Sequence, residues 1–377
     1  MSVLRPQRET HVSVLVVQTS PLTQLEALLP RLLQNVSLSR AQIAIDQLRG
    51  TIGANGQHRI LLITASPQDS PESPLAAVIA IQQPEPDNRT ATILHAAATV
   101  PVDREQQTNL ITAMKPILRS QLSERGVTFL QWATDIGPNE GVTDWCDGFG
   151  FQPMATLDYL SGEVPLIRKD PSSKKGKAQV PRPEPENSLQ FIPVNTNAKA
   201  VGTDGKSDGC SEYKSFVTLV NSTYSETLDC PALAEHRTAQ ETLNGYRTAA
   251  AFAPTGWFRV VRSEGTVRSE CAGRQTTVGC VILGYHPPPP DQSETPGVVE
   301  IVYMGIVPSA RGLGLGRDLV EHAFAVARNH SADRLILAVD QKNEPARRIY
   351  EAAGLTPMLS EMVWVKSLSE SNSEPTD

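Results

Sequence analysis

Long apolar runs are absent from this sequence of 377 residues. A membrane-spanning helix needs about 20 consecutive apolar residues, and a secretory signal needs an apolar segment behind a basic N-terminus. The first residues, MSVLRPQRETHVSVLVV, contain no such segment, and no later stretch approaches the required length. We therefore expect no membrane partner and a location in the cytoplasm.

An excess of basic charge and closely paired cysteines are also missing. The formal net charge is −7, which leaves no broad basic face for a phosphate backbone, so we expect no nucleic-acid partner. Cysteines are five in number, scattered, and never spaced as C-x-x-C. This pattern favours neither a disulfide framework nor a zinc site, and we expect reduced thiols and no metal.

The length of the chain predicts two domains, because 377 residues exceed the size of a typical single core. Lys, Ser and Pro crowd together in residues 167–188, where hydrophobic periodicity stops, and this composition predicts an exposed linker. The predicted domains are therefore residues 1–166 and 189–367. The polar residues 368–377 are predicted to be a disordered tail.

Both halves show the same order of elements: strand, helices, three strands, helix, strand, helix, strand. Landmarks repeat as well. The fourth strand runs into Pro101 in one half and Pro308 in the other, and the last helix stops at Gly150 and Gly354. The sequence thus predicts an internal duplication of α/β class, with a mostly antiparallel mixed sheet and flanking helices in each domain.

The stretch VPSARGLGLGRDLV, which begins at Val307, places a glycine-rich turn between a strand and a helix of the second half. Glycines let the backbone approach an anion, and the amides at a helix start favour a phosphate, although a merely permissive connection is the alternative. A Walker A loop is excluded because Arg317-Asp318 stands in place of Lys-Ser/Thr. A dinucleotide-binding loop is excluded because this turn follows the fourth strand and reads G-x-G-x-G.

These residues resemble the GNAT superfamily of acyl-CoA-dependent N-acyltransferases. The family loop Arg/Gln-x-x-Gly-x-Gly/Ala is matched from Arg311 to Gly316, and VDQKNEPARRIYEAAGL is similar to the family segment in which an Asn opens a helix and a Tyr follows. The resemblance covers about residues 189–367 and implies acetyl-CoA or a related acyl-CoA as co-substrate. The residues that it assigns to the acyl-CoA are Met304, Ile306, Val307, Arg311, Gly312, Leu313, Gly314, Leu315, Gly316, Arg317 and Asn343.

The N-terminal half resembles a degenerate copy of the same domain. Its corresponding turn, VPVDREQQTNL, has no glycine and places Asp103 and Glu105 where an anion would lie, and Cys146 stands in the position of Tyr350. We expect this half to be structural or to shape the substrate site. Among tandem members of the superfamily, the arrangement is similar to the mycothiol synthases, whose strand-four Glu lies eight positions before the Pro, as Glu300 does before Pro308.

The resemblance implies acetyl transfer to a primary amine, with a small molecule or amino sugar favoured as the acceptor. The alternatives are a protein N-terminus or lysine as acceptor, and a non-catalytic acyl-CoA sensor. The acyl-CoA and the amine are the expected partners, and the protein is expected to be a monomer or homodimer.

Catalytic roles follow from what the transfer needs. Glu300 is the candidate general base, with Tyr303 and Asp340 as alternatives. Amides around Ile306 and Val307 would hold the thioester carbonyl. Tyr350 would donate a proton to the CoA sulfur, although core packing also explains it, and Asn343 is equally explained as a helix N-cap. His286 and His322 are expected at the surface, and Trp257 and Trp364 in the core.

Overall fold

The computed structural model of the protein describes residues 15–84, 89–136, 140–165, 189–196, 208–249, 251–264, 274–288 and 295–368. The chain divides into two compact units. The first comprises Met1–Met154 with Met362–Asp377, and the second comprises Ala155–Glu361. The predicted linker, the tail beyond Leu368 and residues 289–294 lie outside the described residues.

The first unit is a mixed sheet with helices. Its strands follow the order β1-β2-β3-β4-β5 and then residues 362–367 of β12. The pairs β1–β2, β2–β3 and β3–β4 are antiparallel, and β4–β5 is parallel. The strands are β1 (Leu15–Thr19), β2 (Ile60–Pro67), β3 (Ala76–Gln82), β4 (Thr90–Ala98), β5 (Phe129–Asp135) and β12 (Thr356–Ser367). The helices are α1 (Leu25–Leu32), α2 (Leu38–Gly53), α3 (Arg104–Glu124) and α4 (Glu140–Phe149).

The second unit repeats this plan. Its sheet order is β6-β11-β10-β9-β8-β7, with residues 356–361 of β12 beside β6, and β10 and β11 are parallel. The strands are β6 (Gln152–Glu163), β7 (Leu189–Pro193), β8 (Phe252–Glu264), β9 (Arg274–His286), β10 (Val298–Ile306) and β11 (Arg334–Asp340). The helices are α5 (Asp208–Thr223), α6 (Leu233–His236), α7 (Ala239–Thr248), α8 (Leu315–Asn329) and α9 (Glu344–Ala352). The predicted α/β class with a mixed sheet is confirmed.

Each unit contains a strand from the other half of the sequence. The first unit contains residues 362–367 of β12, and the second contains most of β6. In the first unit the Trp364 indole nitrogen of β12 donates to Thr134 Oγ1 of β5 at 3.0 Å. In the second, Ser360 Oγ donates to Asp158 Oδ1 of β6 at 2.6 Å. The unit boundaries therefore differ from those predicted around residues 167–188, because composition shows where a chain is exposed and not which sheet a strand joins.

Helix α8 packs an apolar face against the second sheet. Its stripe of buried residues packs on Ile301 of β10 and on Leu335 and Leu337 of β11, and consists of Leu319, Val320, Ala323, Phe324 and Ala327. Trp257 and Trp364 are buried, as predicted. None of the helices in the described ranges is long and apolar enough to cross a membrane.

The two units share irregularities as well as element order. The parallel pairing of β4 with β5 covers only Thr90–Ile93, and that of β10 with β11 covers only Val298–Ile301, so each pair separates toward its end. The register with the preceding strand also shifts at one matching point in each unit. After the last helix, the Phe151 amide donates to the Cys146 carbonyl and the Leu355 amide to the Tyr350 carbonyl. These parallels support an internal duplication.

Candidate active site

A bulge in β10 arranges the side chains of the candidate site. The register with β9 shifts between Ile301 and Tyr303, and an extra residue at such a point reverses the alternation of side chains. Val302 and Tyr303 consequently both pack on the α5 and α7 side of the sheet. Met304 and Ile306 pack on the α8 side.

A cleft of about 670 Å³ opens where β10 and β11 separate. The end of β10, the glycine turn, α9 and the loop after α5 line it. The predicted residues that the cleft brings together are Met304, Ile306, Arg311, Gly312, Gly314, Leu315, Gly316, Asn343 and Tyr350. Val307, Leu313 and Arg317 are outside this lining.

The amides of Met304 and Ile306 point into the gap between the strands. The Val307 amide donates to the Val278 carbonyl of β9 at 3.0 Å, and successive amides of a strand alternate between its two edges. Met304 and Ile306 therefore present their amides on the edge that β11 leaves unpaired. The expectation for Val307 is corrected, because its amide already has a partner in β9.

The glycine turn leaves the start of α8 open. Gly312 and Gly314 both have φ of 78°, and apart from the adjoining backbone no described atom lies within 4 Å of where their Cβ atoms would be. Gly314 is the N-cap of α8, and no described side chain caps the helix. The first-turn amides of a helix lack intrahelical partners, so this end of the cleft is an anion-binding environment. Leu313 and Arg317 project away, with the Leu313 side chain 52% exposed.

The Arg311 side chain binds three backbone carbonyls of the protein instead of facing an anion site. Its Nε donates to the Ile306 carbonyl at 3.1 Å, and its two terminal nitrogens donate to the carbonyls of Glu226 (3.1 Å) and Thr223 (3.0 Å). The guanidinium thus fastens the end of β10 to the loop after α5. Nothing in the sequence signals these three acceptors, since the nearest is a backbone atom five residues away.

Tyr350 lies on α9 and is 6% exposed at the cleft wall. Burial raises the pKa of its phenol, and the negative charge of Asp229 raises it further. The hydroxyl therefore stays protonated at neutral pH, which suits a proton donor. Asn343 caps the same helix by accepting from the Ala346 amide at 3.4 Å, which confirms its N-cap role, and it also lines the cleft.

Asp229 is a cleft residue that sequence reasoning missed. It lies in the loop after α5, and its Oδ1 accepts the Asp340 amide at the end of β11, at 3.0 Å. Burial raises the pKa of its carboxyl. Asp340 in turn accepts from the amides of Cys230 (3.2 Å) and Lys342 (2.9 Å). The Asp340 carboxylate is thereby committed to backbone donors, which weakens it as a candidate base.

The other two candidate bases differ in their surroundings. The Tyr303 phenol shares a hydrogen bond of 2.7 Å with Thr223 Oγ1, and burial raises its pKa, so it is protonated at neutral pH. Glu300 lines a second cavity of about 210 Å³, which shares Tyr246 and Val302 with the cleft. Its Oε2 lies 2.7 Å from His286 Nε2. Glu300 is therefore partly exposed, unlike Asp340, and its carboxylate contacts an imidazole instead of backbone donors.

The two histidines of this unit behave differently from each other. His286 is at the surface, as predicted, yet it contacts Glu300. His322 is half-buried. Its ring stacks on Phe191 with the ring centroids 3.7 Å apart and meets the edge of Phe258 at 4.6 Å, and burial lowers its pKa. The helical pattern around His322 could not show that two aromatic rings from β7 and β8 cover that part of α8.

The first unit has different residues at the positions that match the glycine turn and Tyr350 of the second unit. Asp103 caps α3 by accepting from the Gln106 amide at 2.8 Å, and the Gln106 side chain accepts from the Asp103 amide. A carboxylate thus occupies the helix start that Gly314 leaves open in the second unit. Cys146 is fully buried. These contacts agree with the prediction that this half is degenerate.

Comparison with known proteins supports these geometric observations. Residues 228–355 match the acetyltransferase (GNAT) family model. A mycothiol acetyltransferase from Beutenbergia cavernae is 44% identical over 59 residues, 16% of this chain and 20% of that protein. The 5-NmdU N-acetyltransferase of Pseudomonas phage PaMx11 is 32% identical over 101 residues, 27% of this chain and 58% of that protein. The aligned segments therefore span less than two thirds of either relative.

A longer alignment and a solved structure extend the likeness to most of the chain. A mycothiol acetyltransferase from Paenarthrobacter aurescens is 23% identical over 289 residues, 75% of this chain and 77% of that protein. A GCN5-related glucosamine N-acetyltransferase region of a fungal multi-domain GH3 β-N-acetylglucosaminidase superposes with a TM-score of 0.50 at 12% identity, over 97% of this chain and 40% of that one. The second likeness shows the fold alone. The resemblance inferred from the glycine turn is confirmed: residues 228–355 form a domain of the acetyltransferase (GNAT) family.

Proposed function

We propose that the second unit transfers the acetyl group of acetyl-CoA to a primary amine. The observation that carries this proposal is the cleft between the separated ends of β10 and β11, which runs onto the open start of α8. A strand edge offers hydrogen-bonding groups to an extended chain, and an uncapped helix start suits a diphosphate. The strand edge therefore suits the extended pantetheine arm of CoA, and the helix start suits its pyrophosphate.

The chain's own residues divide the binding work. Amides from Gly312 to Gly316 bind the pyrophosphate, since Gly312 and Gly314 adopt the left-handed φ that exposes them. The edge of β10 at Met304 and Ile306 binds the pantetheine arm and the thioester carbonyl. Asn343 and Tyr350 of the α9 segment face the cleft from the other side.

The reaction requires three proton transfers. Glu300 takes the proton of the acceptor ammonium, and the free amine nitrogen then attacks the thioester carbon. The carbon–nitrogen bond forms, the carbon–sulfur bond breaks, and the phenol of Tyr350 protonates the departing thiolate. The phenol of Tyr350 is protonated at neutral pH, so its proton is present for this step. The nitrogen loses its second proton as the amide forms, and this proton returns to the Tyr350 oxygen.

The acceptor is a small amine, with an amino sugar as the favoured class. The cavity beside Glu300 has a volume of about 210 Å³, which suits a compact molecule better than a folded protein. The mycothiol acetyltransferase relatives support N-acetylation of a small molecule. A protein N-terminus or a lysine side chain is the alternative class.

Calorimetry with acetyl-CoA, followed by measurement of CoA release over a panel of amines, tests the proposal. We expect binding by the intact protein, turnover with at least one small amine, and loss of turnover in Glu300→Gln. Glu321→Gln is the matched control, because that glutamate lies on α8 with its side chain 71% exposed. Failure to bind acetyl-CoA would refute the proposal, and binding without turnover would identify a sensor.

A further inference from the structure

The contact between His286 and Glu300 is set by the register of two strands. Glu300 of β10 lies opposite Gly284 of β9, which has no side chain to occupy the space beside the carboxylate. His286 lies two residues farther along β9, on the same face and diagonally across from Glu300. The resulting distance of 2.7 Å between His286 Nε2 and Glu300 Oε2 is that of a direct hydrogen bond.

Of the polar groups on this face, His286 is the one placed to exchange a proton with Glu300. The adjacent row of side chains contains Arg334 of β11 and Glu163 of β6, and Arg334 donates to Ser161 Oγ at 2.9 Å. From α7, Tyr246 lines the same cavity as Glu300, and burial raises the pKa of its phenol, so it is neutral. Among the described residues, the carboxylate of Glu300 contacts the His286 ring.

The two side chains are exposed to a similar extent, 41% for His286 and 32% for Glu300. Glu300 lines the small cavity, so an amine bound there covers its carboxylate, whereas His286 is outside the lining of that cavity. Each round of transfer removes one proton from the acceptor ammonium, and a carboxyl that keeps this proton is unable to act as a base again. A route from Glu300 to water is therefore needed once per turnover.

We propose that His286 carries this proton from Glu300 to solvent, an inference that rests on the proposed function. While Glu300 is ionised, His286 donates its Nε2 hydrogen to Oε2. The ammonium proton moves to the Glu300 carboxylate, and exchange with solvent then converts the imidazole to its Nδ1–H tautomer. The carboxyl proton moves from Oε2 to Nε2, and the proton on Nδ1 leaves to water, which restores the starting state. One proton reaches solvent in each cycle, and His286 is a relay residue that acts through Glu300.

The variant His286→Gln separates the relay from the hydrogen bond, because a glutamine amide can still donate to Glu300 but does not accept and release a proton. The control is His58→Gln, which removes an exposed histidine of the first unit. The pH profile of kcat/KM is measured between about pH 6.5 and 9.5 with acetyl-CoA and glucosamine, tyramine or spermidine. Glu300→Gln is measured in parallel, and circular dichroism verifies that every variant is folded.

We expect His286→Gln to lose about ten-fold in kcat/KM for the amine near neutral pH, a part of the 10²- to 10⁴-fold that general base catalysis supplies. The loss should shrink at high pH, where free amine predominates, and added imidazole should restore activity. The KM for acetyl-CoA should not change.

A His286→Gln profile that matches His58→Gln while Glu300→Gln is inactive would overturn the relay and leave the proposed function standing. A loss that is equal at every pH and is not rescued by imidazole would also overturn it, since His286 would then merely hold Glu300 in place. No turnover by the unmodified protein with any of the three amines would count against both proposals.

Discussion

Replacement of Gly314 tests whether the start of α8 is kept open for an anion. Gly314 has φ of 78°, and no described atom lies within 4 Å of its would-be Cβ. An alanine there meets no steric obstacle and costs about 1–2 kcal/mol, from the left-handed conformation alone. An aspartate tolerates that conformation better and adds a carboxylate beside the amides, as Asp103 does in the first unit.

The two variants should therefore distinguish the effect of backbone strain at residue 314 from the effect of a carboxylate beside the amides of α8. For Gly314→Asp, a negative charge about 4 Å from a phosphate interacts unfavourably by about 4 kcal/mol at an effective dielectric constant near 20, before screening by salt. We expect at least a 100-fold loss in affinity for CoA, which corresponds to about 2.7 kcal/mol. Gly314→Ala should lose less than about ten-fold, because it adds no charge.

Isothermal calorimetry with CoA measures the affinities, and urea denaturation measures the free energies of unfolding. Gly126 provides the matched control, since it has φ of 77° and an equally open surrounding but lies after α3 in the first unit. Gly126→Ala should cost a similar free energy of unfolding and leave the affinity for CoA unchanged. A folded Gly314→Asp variant that binds CoA as tightly as the unmodified protein would refute the assignment of this turn.

Three further predictions concern other residues. Tyr350→Phe should lower kcat while the calorimetric Kd for acetyl-CoA stays the same, and an equal loss in both would argue against the proton-donor role. Arg311→Met should lower the free energy of unfolding by about 3 kcal/mol in urea denaturation, because three carbonyls lose a charged donor; no change would mean that the three hydrogen bonds do not stabilise the unit. Burial and the charge of Arg40 lower the pKa of His95 to about 4, so the unfolded state takes up a proton below about pH 6.5 when the folded state does not. The free energy of unfolding should fall by about 2 kcal/mol between pH 7 and pH 5 because of His95. His95→Gln should remove that part of the decrease. An unchanged pH dependence in the variant would show that His95 is not responsible.

The features that the sequence could predict are those encoded by neighbouring residues. The glycine turn, the N-cap at Asn343 and the placement of Tyr350 on α9 depend on spacing within a few turns of chain, and the structure brings all three to one cleft. The repeat of element order was readable for the same reason.

The features that the sequence could not predict depend on distant segments. The His286–Glu300 contact requires the register of β9 against β10, and the position of Asp229 requires the end of β11. The stacking on His322 requires Phe191, which is 131 positions away in the chain (322 − 191). Pairings of this kind follow from how strands assemble, and one sequence alone does not specify them.

The strand exchange between the units has a consequence for how the protein is made. The first unit needs residues 362–367 of β12 to complete its sheet, and those residues are synthesised after the whole of the second unit. During translation, β5 therefore presents an unpaired edge until almost all of the described chain has left the ribosome, and such edges are prone to mispairing. Two separately expressed halves, cut within residues 167–188, would each lack a native strand, so neither half is expected to be a self-sufficient folding unit.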